Sequence, residues 1–118
     1  MADFLTADLM NGCNYCLTVH SFTAEHMAKL SPDEIILARQ GHANDPKRDA
    51  AVQFARKVIE TRGHVSDADV EAVRAAGFTD ANVMEIIALV AMYSLTNFFN
   101  NVFDPEKDFP AVTPAGSI

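Results

Sequence analysis

The chain has 118 residues, 49% of them apolar, which suits one globular domain and is too apolar for disorder. With 16 acidic residues against 9 basic ones the formal charge is −7, which argues against nucleic acid or an anionic membrane as partner. The opening MADFLTADLM lacks a basic leader region, a long apolar run and a small-residue cleavage site, so no signal peptide is read there and a cytoplasmic setting is expected.

Helix signals then follow one another along the chain. ADFLTADLM has the length for about two helical turns, and Asn11-Gly12 breaks it. A second helix is predicted from near Cys13 to about Lys29. Ser31, Pro32 and Glu34 supply an N-cap, a first-turn proline and a capping-box acid for a third, which Gly41 ends. Asp45 and Pro46 repeat that grammar for a fourth, with Gly63 as its stop. Along it Ala51, Phe54, Ala55, Val58 and Ile59 recur at three- and four-residue steps, the spacing of a buried helical face. A short helix is predicted from Ser66 to Ala76, closed by Gly77. The last helix, capped by Thr79 or Asp80, runs to about Val102.

That last helix is apolar nearly all round between Val83 and Leu95. Glu85 and the group Asn97, Asn100 and Asn101 interrupt it, and the uninterrupted run falls short of the ~20 residues a bilayer needs. It is therefore read as a central core or subunit-interface helix. A chain this short buries only ~65% of its unfolded surface. The surplus apolar surface predicts a homo-oligomer with the helix from Asn82 to Val102 at the interface. No segment alternates with period two. The predicted fold class is all-α: a single helical domain over residues 1–102, of five or six helices, followed by an extended, proline-bearing tail over residues 103–118.

The chain's two cysteines lie together, in NGCNYCLTVH. In a reducing compartment such a pair points to metal binding or redox catalysis more than to a structural staple. Cys13, Cys16 and His20 share one stripe of the predicted helix. The unpaired N–H groups at a helix start favour thiolate, and a neighbouring imidazole can take the proton. A second thiol one turn away can then resolve whatever the first one forms. Four other readings stand beside this redox dithiol. Zinc would find three ligands here but no second close Cys or His pair to complete a structural site, so no metal is expected. Haem attachment requires histidine directly after the second cysteine, where Leu17 stands, and a thioredoxin domain requires strands. Inert burial of both thiols stays open. His26, His42 and His64 fall near helix ends or in loops and are read as surface or capping residues. Tyr15, between the cysteines, either lines the site or serves ordinary packing. Asn97, Asn100 and Asn101 either reach a pocket or subunit boundary or mark a polar exit from the core.

The stretch NGCNYCLTVHSFTAEHMAKLSPDEI resembles the signature of the AhpD-like alkylhydroperoxidases, within the carboxymuconolactone decarboxylase superfamily. The likeness continues through FARKVIETRGHVSDADVEAVRAAGFTDANVMEIIALVAMYSLTNFFNNV and on to DFP. It implies an AhpD-like helical bundle that forms homo-oligomers and a thiol-dependent peroxidase needing no metal or organic cofactor. It further implies that Cys16 attacks the hydroperoxide and becomes a sulfenic acid, that Cys13 closes the disulfide, and that His20 belongs to the proton relay. Proximity orders the thiols the same way, since His20 is one helical turn from Cys16 and two from Cys13. A thiol or dithiol protein would re-reduce the pair. The alternatives are a decarboxylase- or isomerase-like enzyme with His20 as acid/base, and a non-catalytic helical oligomer with a redox-responsive cysteine pair.

Two departures from the family pattern bear on the relay. Tyr15 stands where members carry a histidine between the cysteines. Met1 stands where they carry the relay glutamate, twelve residues before the first cysteine. The family's chains begin with further helices upstream, so a shortened N-terminus is implied. Asp8 and Glu85 are the candidate replacement acids.

Overall fold

In the computed structural model, which describes residues 2–110, capping side chains set where the helices begin. Six helices follow in order: α1 (Ala2–Met10), α2 (Asn14–His26), α3 (Pro32–Arg39), α4 (Pro46–Thr61), α5 (Asp67–Ala75) and α6 (Asp80–Phe103), with no strand among the described residues. Ser31, Asp45, Ser66 and Thr79 each accept a first-turn backbone N–H that has no partner within the helix. In α3, α5 and α6 the third helical residue reaches back to close a capping box. The fold class is all-α, as the capping grammar predicts.

The link from α1 to α2 is what builds the site. Gly12 adopts φ 65°, a left-handed conformation that costs a glycine little, and the chain reverses there within a few residues. The Cys13 N–H then donates to the Asp8 carbonyl at 2.9 Å, so the end of α1 is fastened against the start of α2. Cys13 itself is extended (φ −84°, ψ 90°) and is the N-cap of α2 rather than a residue of its first turn. Its Sγ takes the capping role by accepting the Cys16 N–H at 3.2 Å. The helix also ends earlier than expected, at His26, with Met27 as C-cap and Lys29 in a left-handed conformation.

The core has two parts. Leu5, Leu17, Ala24, Ile35 and Ala38 join α1, α2 and α3, while Ala51, Phe54, Ala55, Val58, Val73, Val83, Ile86 and Val90 join α4, α5 and α6. The helix at the centre is α1, which touches α2, α3, α4 and α6 and buries Leu5, Thr6, Ala7 and Asp8 completely. Of the two readings of the last helix, central core or subunit interface, the described residues do not support the first. α6 buries only the stripe Val83, Ile86, Val90, Tyr93 and Asn97. Met84, Ile87, Met92, Leu95, Phe98, Phe99, Val102 and Phe103 are left exposed. The reason is geometric: among the described residues, its neighbours cover one side of a 24-residue helix and none lies over the other. By length and composition α6 would also pass as a membrane span, with 17% of its apolar window buried. Asn97 of this helix is, however, completely buried, and Asn100 and Asn101 bond to Cys16 and to the Asn11 carbonyl.

α6 continues one residue past the predicted boundary, and residues 104–110 form neither helix nor strand. Met1 and the remainder of the expected tail, residues 111–118, lie outside the described residues.

Candidate active site

Cys13 and Cys16 are joined by a disulfide at the start of α2. Their surroundings differ. Cys13 is completely buried, whereas Cys16 is 3% exposed and forms part of the wall of an open cavity of about 260 Å³. Tyr15, Val19 and His20 from α2 and Met92, Tyr93, Thr96 and Asn100 from α6 complete that wall. The two helices therefore supply the cavity between them, and its lining is mostly apolar. A larger hollow of about 420 Å³, bounded by Leu30, Glu34, His42 and Arg48 among others, contains neither cysteine nor His20. Size alone is a poor guide here; the sulfur and the imidazole mark the smaller cavity.

His20 is held from behind. Its Nδ1 lies 2.6 Å from Oδ2 of Asp8, whose side chain is fully buried. A carboxylate can only accept, so Nδ1 carries the proton and Nε2 is left as the basic nitrogen. Phe4 and Tyr93 flank the imidazole, with ring centroids at 5.5 Å and 6.2 Å, and restrict how it can turn. The second oxygen of Asp8 accepts from Asn97 Nδ2 at 2.7 Å. Asn97 Oδ1 in turn accepts from Asn11 Nδ2 at 3.0 Å, and the same amide donates to Ser94 Oγ at 3.1 Å. A buried carboxylate without such donors would be costly. Here both of its oxygens are engaged.

The remaining asparagines serve the same place. Asn100 Nδ2 donates to Cys16 Sγ at 3.4 Å, and Asn101 Nδ2 donates to the Asn11 carbonyl at 2.9 Å. Of the three, Asn100 reaches the cavity, whereas Asn97 and Asn101 bind Asp8 and the α1–α2 link.

The structure thus brings Cys13, Cys16 and His20 together, and of the two candidate acids it selects Asp8. Glu85 is exposed and accepts from Asn82 near the start of α6. It stands twelve residues before Asn97, about 18 Å along the helix. The other histidines lie elsewhere. His26 Nδ1 donates to the Phe22 carbonyl and its ring stacks on Phe22, His42 pairs with Asp49 at 3.3 Å, and His64 is exposed. Tyr15 lines the cavity. Sequence reasoning missed Asn11, Phe4 and Tyr93. Asn11 reads locally as a helix breaker and nothing more, and nothing in the local pattern marks two aromatics as neighbours of an imidazole.

No family model matches the chain, and no curated protein matches it. Among solved structures it is similar to the alkylhydroperoxidase AhpD core of an uncharacterized peroxidase-related protein from Ralstonia eutropha JMP134. The two share 27% identity at a TM-score of 0.70, over 86% of this chain and 55% of the other. The chain therefore spans about half the length of that protein. The chain thus shares its all-helical fold with an AhpD core and carries a cysteine pair in disulfide contact at the head of α2.

Proposed function

We propose that the protein reduces hydroperoxides through a dithiol/disulfide cycle of Cys13 and Cys16. The observation that carries this reading is the pairing of Asp8 with His20 behind the cavity whose wall includes Cys16. The peroxidase-related character of the Ralstonia protein is consistent with it.

In the reduced protein His20 Nε2 accepts the Cys16 proton, and Asp8 stabilises the imidazolium that results. The thiolate attacks the outer oxygen of the hydroperoxide. The O–O bond breaks, the sulfur gains that oxygen as a sulfenic acid, and the alkoxide leaves with the proton from His20 as an alcohol. The Cys13 thiol then displaces hydroxide from the Cys16 sulfur, forming the disulfide and water. Sulfur has now given up two electrons, and a thiol or dithiol protein returns them by exchange at the pair. The cycle calls for no metal or organic cofactor because sulfur carries both electrons. It suits a reducing compartment such as the cytoplasm, where that reductant is replenished. An apolar cavity wall favours organic hydroperoxides as substrates.

The exposed face of α6 supports a homo-oligomer as the working form, since isolated soluble domains seldom leave eight large apolar side chains in one helix uncovered. Turnover of an organic hydroperoxide to its alcohol with dithiothreitol as reductant tests the activity. Equal rates for the wild type and Cys16→Ser would defeat the proposal.

A further inference from the structure

We infer that Asn100 is a further catalytic residue, the amide donor that holds and stabilises the Cys16 thiolate; the inference rests on the peroxidase reading above. Its Nδ2 reaches Cys16 Sγ at 3.4 Å from the opposite helix. Each sulfur has its own donor. Cys13 Sγ receives a backbone N–H, that of Cys16, whereas Cys16 Sγ receives a side-chain amide at the cavity wall. An amide hydrogen bond to a neutral sulfur is weak, but the same donor facing a thiolate is charge-assisted and much stronger. The contact therefore gains strength in the state that must react.

Three carboxamides on one stripe of α6 each engage a different part of the site. Asn97 holds the Asp8 carboxylate, Asn100 the Cys16 sulfur and Asn101 the carbonyl of Asn11 in the α1–α2 link. No lysine or arginine lines the cavity among the described residues, so no cation is there to take over this task. The titratable groups around Cys16 are His20 with Asp8 behind it, Tyr15 from α2 and Tyr93 from α6, and no α3 residue lines the cavity. None of these is altered by a change at Asn100.

The test is the pH dependence of iodoacetamide alkylation of Cys16 in reduced protein carrying Cys13→Ser, with Asn100 intact, Asn100→Ala or Asn100→Asp. Loss of the donor in Asn100→Ala is expected to move the alkylation midpoint up by about one pH unit, a tenfold loss of thiolate below the midpoint. Asn100→Asp keeps the size of the side chain but sets a carboxylate against the sulfur, and is expected to move the midpoint further up. Should Asn100→Ala fail to fold, Asn100→Leu, which keeps the bulk and lacks the donor, decides instead, since the carboxylate of Asn100→Asp raises the midpoint by its charge alone. Midpoints unchanged in the folded variants overturn the inference, even where the wild type reduces hydroperoxides. Shifted midpoints in a protein whose wild type leaves hydroperoxide untouched would uphold the donor role and remove the peroxidase reading instead.

Discussion

The Asp8 carboxylate and the His20 imidazole meet at 2.6 Å from two different helices, 12 residues apart in the chain. Asp8 is fully buried at the end of α1, and His20 belongs to α2 on the cavity wall. The contact gives the imidazole a fixed tautomer and leaves Nε2 as the base. Asp8→Asn retains the shape but can present an N–H to Nδ1, which favours the wrong tautomer. The first reaction with hydroperoxide should slow by about 10²-fold or more, in line with general-base contributions. Stopped-flow measurement of thiol loss checks this, and a rate equal to the wild type would remove Asp8 from the relay.

The thiols are expected to be unequal. Cys16→Ser should abolish reaction with hydroperoxide. Cys13→Ser should react once and leave a sulfenic acid at Cys16 that dimedone traps, with no intramolecular disulfide. His20→Ala should slow that first step while sparing the fold. Mass spectrometry of the trapped adduct distinguishes the two sulfurs. An adduct on Cys13 in the Cys16→Ser protein would reverse the assignment.

Asn97 is completely buried and bridges Asp8 to Asn11. Asn97→Ala removes a donor from a buried carboxylate and leaves the Asn11 amide short of an acceptor. About 1–3 kcal/mol of stability should be lost, read from urea unfolding midpoints. A surface asparagine of α6 would show a change within about 0.5 kcal/mol, and a value that small at Asn97 would contradict the network.

The exposed side of α6 sets an expectation for assembly. The wild type should sediment as a homo-oligomer at micromolar concentration. Leu95→Asp together with Phe99→Asp, both at exposed positions, should shift it towards monomer without loss of helix content. A wild type that sediments only as a folded monomer would refute the assembly.

The capping boxes make a pH-dependent contribution. The Ser31 backbone N–H holds the Glu34 carboxyl below its ordinary 4.5, and the Ser66 N–H holds that of Asp69 below 3.8. A folded-state pKa below the unfolded one adds stability that is fully present above the unfolded value and is lost as pH falls through the folded value. Thermal unfolding midpoints should therefore drop below about pH 4.5, and Glu34→Gln should weaken that dependence. An unchanged slope in the variant would argue against the box.

Much of this was legible in the sequence where the determinants are local. Ser31, Asp45, Ser66 and Thr79 announce their helices because a cap and the backbone N–H that donates to it lie within three residues. Cys16 and His20 share a face for the same reason. Asp8 was legible only as one of two candidates. Its selection depends on the Gly12 turn, which brings the end of α1 against α2, and on Asn97, which is 89 residues away. The apolar run of α6 was legible but its place was not, because periodicity reports which residues are apolar and not which face has a neighbour. Nothing local indicated that the nine residues of α1 would occupy the centre.

The most direct measurement is a single turnover. Protein reduced with dithiothreitol and freed of it is mixed with one equivalent of an organic hydroperoxide, and thiols, alcohol and disulfide are counted. The proposed cycle requires loss of both thiols, one equivalent of alcohol, and a Cys13–Cys16 disulfide in the tryptic digest. Two thiols remaining beside intact hydroperoxide would contradict it.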